Sequence, residues 1–316
     1  MRFRRLGKSE VSVSVVGIGT WQFGGEWGKK FKPKEVGEIF EAARDLGINL
    51  IDTAECYGDH TSEKLIGKAI KPDRDRWVVA TKFGHKFNGF LSRSVDYSAK
   101  GMVSQLEKSL RALKTDWIDV YQVHGVSRET YEDDALWTAL EKQQKLGKIR
   151  LIGVSIGHDP TSLGRDLVQT VQVHYNRLEL GAEKEVLPLC LKKDLGVLAR
   201  VPLASGFLSG KYKPGHRWGK GDVRKRIESD GIDTKLGEVQ RIQKEEVFSG
   251  TSMAIWALHW CLRHPAVTAV IPGCKSVEQI RANGAAAELL TNQETHPQAV
   301  EVSEVGTATA YGSQQR

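Results

Sequence analysis

Four side chains in this sequence could together donate a proton to a substrate: Asp52, Tyr57, Lys82 and His124. Asp52 closes the apolar run Asn49-Leu50-Ile51, and Tyr57 follows in a turn marked by Gly58. Lys82 closes Trp77-Val78-Val79-Ala80-Thr81, and His124 closes Ile118-Asp119-Val120-Tyr121-Gln122-Val123. A free phenol titrates near ~10, too high for acid work at neutrality. An ammonium beside it is expected to lower that value, and a carboxylate would hold the ammonium in place. Lys82 and Asp52 can fill those roles, while His124 orients a carbonyl oxygen. Tyr57 would then protonate that oxygen. No side chain is a hydride source, so the reducing equivalent must come from a nicotinamide cofactor.

Each residue alone is weak, because a single Asp or Lys at a strand end is usually a surface charge or an ion pair. The case rests on a fold that brings them together. Apolar runs at 15–19, 48–52, 77–81, 118–123, 150–154, 170–174, 196–201 and 267–271 read as eight short strands. Helical patterns separate them. Strict alternation of strand and helix forces parallel strands, and eight such units close most naturally into a (β/α)8 barrel. The rival is an open doubly wound sheet, which wants G-x-G-x-x-G after the first strand. Gly17-Ile18-Gly19 begins it, but Gln22 stands at the third position. A hairpin, Arg2–Arg5 and Val11–Val15, precedes the barrel, and extra helices near 235–248 and 251–263 precede the last strand. The whole of 1–316 is expected to form one barrel domain, with 291–316 a loose tail.

In such a barrel functional groups gather where strands end. Asp52, Lys82, His124 and Ser155 end strands two to five. Gln172 lies in strand six and Tyr175 just beyond it.

Composition narrows the classes. The 316 residues are 40% hydrophobic, and no apolar run approaches the roughly 18 of a membrane span. The basic start Met1-Arg2-Phe3-Arg4-Arg5 before Val11-Ser12-Val13-Ser14-Val15 has the order of a signal peptide, but its alternation with serine reads as a strand. Net charge is +7, with no recognition-helix or zinc-finger spacing, so a phosphate-bearing cofactor explains it better than nucleic acid. Cys56, Cys190, Cys261 and Cys274 lack metal or disulfide spacing and read as free thiols in a reducing cytoplasm. Cys56 reads as a small buried side chain rather than a nucleophile. His158 and His174 have no ligand partners, so no metal is expected.

With these motifs in place, the chain resembles the aldo-keto reductases, of the long-chain bacterial type. The stretches that carry the likeness are Gly17-x-Gly19-x-Trp21, Ile51-Asp52-Thr53-Ala54-x-x-Tyr57-Gly58, Ala80-Thr81-Lys82, Val120-Tyr121-Gln122-Val123-His124, Ile152-Gly153-Val154-Ser155 and Ile271-Pro272-Gly273-x-Lys275-Ser276. The resemblance implies a barrel, a catalytic tetrad on Asp52, Tyr57, Lys82 and His124, and NADPH bound without a Rossmann domain. Ser155 and Gln172 would bind the nicotinamide carboxamide, and Tyr175 would lie against its ring. Gly19, Thr20, Trp21 and Asp52 would line the cofactor at the first two strands. Pro202, Leu203, Ser205, Gly206, Leu208, Gly210 and Lys211 would wrap the pyrophosphate. Gly273, Lys275 and Ser276 would cradle the 2′-phosphate, and Gln279 and Asn283 would contact the adenosine. Ile156 stands where the family often has asparagine, and Ala282 where it often has glutamate.

Trp21, Trp27, Tyr57, Phe83 and His124 are the expected substrate contacts, with core packing the alternative for Trp21, Trp27 and Phe83. The basic run 217–226 reads as a solvated loop or as a flap over the phosphates. The substrate is a small carbonyl compound, and nothing in the sequence sets an oligomeric state. Two other functions stay open: a non-catalytic NADPH-binding regulatory or channel-associated subunit, and a Schiff-base aldolase using Lys82.

Overall fold

The computed structural model describes residues 1–219, 222–226, 229–290 and 295–300, with the backbone alone at 226, 229 and 230. The chain opens on an antiparallel hairpin, β1 (Phe3–Arg5) and β2 (Ser12–Ser14). Strand and helix then alternate: β3 (Ile18–Gly19), α1 (Pro33–Asp45), β4 (Leu50–Asp52), α2 (Thr61–Ile70) and β5 (Val78–Phe83). A second hairpin, β6 (His85–Phe87) and β7 (Arg93–Val95), interrupts before α3 (Ala99–Leu113) and β8 (Ile118–His124). After them come α4 (Arg128–Glu132), α5 (Asp134–Lys145), β9 (Ile149–Ile156), β10 (Thr170–His174), α6 (Val186–Lys193) and β11 (Gly196–Arg200). The described chain ends with α7 (Ser229–Glu245), α8 (Met253–Leu262), β12 (Ala269–Val270), α9 (Val277–Gly284) and β13 (Ala299–Val300).

Eight strands form one parallel sheet in the order β12-β11-β10-β9-β8-β5-β4-β3. Its edges meet: Gly17 N donates to the Val270 carbonyl at 2.8 Å, and Val270 N to the Val15 carbonyl at 2.9 Å. The sheet is thereby closed into a (β/α)8 barrel, which removes the open edges a flat sheet would carry.

Helices form where the sequence offers a stripe. Pro33 starts α1, and Val36, Ile39, Phe40 and Ala43 bury one face. Ser98 caps α3, its side chain accepting from Gly101 N, and Met102, Leu106, Leu110 and Leu113 line its inner face. Each such buried aliphatic contributes roughly 1.5–3 kcal/mol. Along the strands alternate residues face these helices, among them Ile51, Val79, Val123, Val154 and Val173.

The residues between them point into the barrel. At its lower end they are apolar: Leu50, Val78, Val120, Leu151 and Leu198 pack with Leu6 and Val13 of the hairpin. The hairpin is therefore a plug. Inward positions become mainly polar towards the strand C-termini, which marks the end where chemistry is possible.

Several elements differ from the sequence reading. The polar loop 84–98 contains the β6–β7 hairpin, whose strands are too short to show a period. The helix expected at 161–168 is a single 3-10 turn, Thr161–Gly164. The last strand covers two residues rather than five. Part of the expected loose tail is paired: β13 lies antiparallel on β1, and Gln298 donates to Asp194 Oδ1 at 2.9 Å. Residues 291–294 and 301–316 lie outside the described residues. Among the described residues, no helix is long and apolar enough to cross a membrane.

Candidate active site

β4 delivers Asp52 to the rim, and the turn after it delivers Tyr57. That turn needs glycine at 58, where φ is +65° and an added Cβ would stand 2.4 Å from the Gly24 carbonyl oxygen. The contact presses the Tyr57 turn against the loop after β3. Tyr57 stacks on Trp21 there, with ring centroids 6.0 Å apart.

β5 supplies Lys82. Its Nζ donates to Asp52 Oδ1 at 2.8 Å, Asp52 Oδ2 at 3.0 Å and the Thr53 carbonyl at 2.7 Å, and lies 3.5 Å from the Tyr57 hydroxyl. Asp52 also accepts from Gln172 Nε2 at 2.6 Å. Ser155 Oγ donates to Gln172 Oε1 at 3.5 Å. A buried ammonium and carboxylate are thus each given several partners, which such burial requires.

β8 supplies His124, whose ring meets Tyr57 edge-on with centroids 6.4 Å apart. Its Nδ1 lies 3.7 Å from Cys56 Sγ. Burial pushes the Cys56 thiol up to about 11, so it keeps its proton. Burial, then Lys82, His85, Arg200 and Arg93, hold His124 well below the usual histidine range, so the imidazole is neutral.

One expectation is reversed. Burial first, then the Asp52 carboxylate, push the Tyr57 phenol well above 10, and Arg200 and Arg93 offset this only in part. Lys82 is itself paired with Asp52, so its pull on the phenol does not outweigh that burial and that carboxylate. In the free protein Tyr57 is a neutral O–H.

The structure corrects two further placements by strand parity. Phe83 follows inward Lys82, so it faces outward, buried and stacked on Tyr121 at 4.9 Å, away from any substrate. Tyr175 likewise faces the helix layer, its hydroxyl donating to Glu183 at 2.6 Å and its ring packed on Trp260. It cannot lie against a ring at the mouth. Thr20 keeps its hydroxyl on the Asp52 carbonyl at 2.8 Å, so only its backbone and that of Gly19 face the rim.

The loop after β11 has the backbone for an anion. Val201, Ala204, Ser205, Gly206 and Gly210 all have positive φ, an arrangement that lets successive amides turn towards one point. Pro202 and Leu208 are buried, Leu208 in a satellite core with Leu236 and Trp256, whereas Leu203 and Ser205 are half-buried and Lys211 is exposed. Ser276 caps α9, accepting from Gln279 N at 3.3 Å, and Gln279 Oε1 accepts from Lys275 N at 2.7 Å. Gly273 and Lys275 precede that helix, whose N-terminal amides suit a phosphate. Asn283 is buried with its Nδ2 lacking a partner, a donor ready for a ligand.

Lys275 Nζ donates to the Trp27 carbonyl at 2.7 Å. Trp27 is buried against Trp21 and beneath Arg224. Arg224 pairs with Asp222 at 2.7 Å and donates to Tyr212 at 2.9 Å. The described part of the basic run 217–226 is therefore tied across the mouth through a Trp27–Asp222 bridge, and Arg224 is not a solvated charge.

Sequence reasoning misses four contributors. The β6–β7 hairpin lays His85 on His124 with ring centroids 4.3 Å apart. Its Arg93 pairs with Glu26 at 2.6 Å, and Glu26 also accepts from Trp21 Nε1 at 2.9 Å. Arg200 ends β11 and reaches the rim. Strand parity with Leu198 could have placed Arg200, but nothing local links Glu26 to Arg93. Cys56, His85 and His124 bring ligand atoms within 4.8 Å of one another. Lys82, Arg93 and Arg200 surround His124, and their field opposes a cation there.

A sequence model of the Aldo/keto reductase family matches residues 15–304. The uncharacterized oxidoreductase YqkF of Bacillus subtilis is 31% identical over 93% of this chain and 94% of its own length. Among solved structures, the glycerol dehydrogenase AKR11B4 from Gluconobacter oxydans superposes with a TM-score of 0.79 at 28% identity, covering 98% of this chain and 95% of the other. An aldo/keto reductase from Klebsiella pneumoniae, solved in complex with NADP and acetate, gives 0.69 at 28% identity over 97% and 94%.

Proposed function

Because the chain belongs to the aldo/keto reductase family, we propose that it reduces an aldehyde or ketone to the alcohol, reversibly, with NADPH as cofactor and Tyr57 as the acid. The observation that carries this reading is Lys82 standing between Asp52 and the Tyr57 hydroxyl, with His124 beside them.

The residues present suit the cofactor. The positive-φ loop 201–210 would take the pyrophosphate, and Lys275 with the capped start of α9 the 2′-phosphate. Asn283 offers its idle amide to the adenosine, and Ser155 and Gln172 would hold the carboxamide. The NADP complex of the Klebsiella relative supports the same assignment. When bound, the cofactor supplies the hydride.

The chain supplies the proton. Tyr57 is neutral and half-buried at the mouth, so it can donate to the oxygen of a carbonyl. As it does so, the ammonium 3.5 Å away stabilises the charge left on the phenol oxygen. Asp52 and the Thr53 carbonyl keep that ammonium in position. His124, neutral, can donate to the same carbonyl oxygen from the ring nitrogen that carries its proton. Trp21 forms one wall of the substrate space and the β6–β7 hairpin the other.

The aldolase alternative asks Lys82 to be a free amine. Three oxygen acceptors around Nζ oppose that. The regulatory-subunit alternative leaves the proton-donating set without a use. Purified protein mixed with NADPH and a panel of aldehydes and ketones tests the reading: loss of cofactor absorbance supports it, and tight binding of NADPH without turnover on any carbonyl contradicts it.

A further inference from the structure

Glu55 stands in the turn between Asp52 and Tyr57, yet the proton-donating set does not use it. The residue is 5% exposed, and its Oε1 is buried with no hydrogen-bond partner. On α2 it faces Glu63, a fully buried carboxylate that accepts from Thr81 Oγ1 at 2.7 Å and pairs with His60. On β8 it faces Tyr121, also fully buried, which lies close enough to both carboxyls to be acted on by them. Cys56 beside it in the turn is acted on as well. The cations facing it are Lys86 of β6 and Lys108 of α3, and Lys86 is already paired with Asp96. The Gly84 N–H also faces Glu55, but it donates to Gln105 Oε1 at 2.8 Å. Gly84 closes the root of the β6–β7 hairpin, its carbonyl accepting from Asp96 N at 2.9 Å. Glu55 is therefore wedged between the Tyr57 turn and the root of the hairpin that lays His85 on His124.

A neutral carboxyl is tolerated in that wedge. Ionised, it becomes a second buried negative charge beside Glu63, with an idle oxygen and its nearest cation already engaged. We propose that Glu55 is a proton-operated latch: with its proton it lets the β6–β7 hairpin dock on the Tyr57 turn, and without it the two part and the substrate wall opens. This rests on the carbonyl-reducing reading above, which makes the hairpin a wall of the substrate space. Opening exposes the carboxyl to water, where it titrates near 4.5, whereas burial and Glu63 hold its proton up to about 8 in the docked state. Opening thus releases a proton between those values, so the open fraction rises about tenfold per pH unit across the window and levels off above it. The proposed cofactor contacts lie on the loop after β11 and on α9. The latch therefore weakens capture of the carbonyl on the alkaline side and leaves capture of NADPH as it was.

The test is native-state hydrogen exchange on the full chain, unaltered and as Glu55→Gln, with KM for a reactive aldehyde measured beside it. After correction for the intrinsic exchange rate, amides of residues 85–95 in the unaltered protein should lose protection about tenfold per unit from about pH 6 to about pH 8. In Glu55→Gln their protection should hold across that range. These amides should also exchange faster than those of β8 and β9, because the opening is local. KM should climb with pH in the unaltered protein and stay level in the variant, with the same Kd for NADPH in both. Glu55→Met serves if the glutamine variant does not fold. The same pH dependence of protection in both proteins overturns the proposal, as does exchange of 85–95 only in step with β8 and β9. A KM that climbs alike in both overturns the link to the substrate wall. If no carbonyl is reduced at all, the functional reading falls and exchange still decides whether Glu55 is a latch; if carbonyls are reduced and protection does not move, only the latch falls.

Discussion

Lys82 Nζ lies 2.8 and 3.0 Å from the two carboxylate oxygens of Asp52, and the side chains are 0% and 6% exposed. Removing one member leaves the other buried and unmatched, which costs about 3–5 kcal/mol. Asp52→Ala and Lys82→Met should each lower stability by that order in urea unfolding. The double variant should cost about as much as one single change, because the pair is lost only once. Additive losses would show that the two charges do not depend on each other.

Glu55 is the second buried carboxyl of this turn. Burial, reinforced by Glu63, pushes it up to about 8, against 4.5 for an ordinary glutamate. The unfolded chain therefore releases this proton first as pH rises. Stability from the protonated carboxyl is complete below 4.5 and is lost between there and 8. Glu55→Gln should gain in Tm over the unaltered protein as pH is raised through that window, with the gap levelling off above it. A gap that stays constant with pH would remove Glu55 from this role.

Lys275 precedes the capped start of α9, where a 2′-phosphate would sit. Lys275→Met should raise Kd for NADPH about tenfold, the scale of one charge-assisted contact, while NADH changes less than about twofold. Calorimetric titration of both cofactors checks this. Equal weakening would place the lysine elsewhere in the cofactor site.

Glu26 joins the loop after β3 to the β6–β7 hairpin: it accepts from Trp21 Nε1 at 2.9 Å, Arg93 at 2.6 Å and Leu91 N at 2.7 Å. A lost hydrogen bond to a charged group is worth about 1.5–3 kcal/mol. Glu26→Ala should loosen the hairpin from Trp21 and raise KM for the carbonyl by roughly an order of magnitude, with the Kd of NADPH unchanged. Steady-state kinetics and cofactor titration separate the two. A change in cofactor affinity alone would contradict the assignment of this wall to the substrate.

The barrel is legible because alternation of strand and helix is a long-range signal repeated eight times. Asp52, Lys82 and His124 come with it, since each ends an inward-facing run and parity sends them to one rim. The same parity, carried one residue further, turns Phe83 and Tyr175 to the helices and away from the mouth where motif position alone would put them. The hairpin at 85–95 stays hidden because two strands of three residues make no period. The direction of the Tyr57 shift is not legible either. Proximity to Lys82 is visible in a motif, whereas the cancelling bond from Lys82 to Asp52 and the depth of burial are properties of the folded chain. The Glu26–Arg93 pair, separated by 67 residues, has no local signature at all.

The most direct measurement is single-turnover reduction of a reactive aldehyde by Tyr57→Phe loaded with NADPH, beside the unaltered protein. Removing the hydroxyl leaves Lys82, Asp52 and Gln172 in contact with one another. The rate should fall by at least about 10²- to 10⁴-fold, the usual contribution of a positioned acid, with Kd for NADPH within about twofold. A variant that keeps the full rate would show that the proton comes from another group.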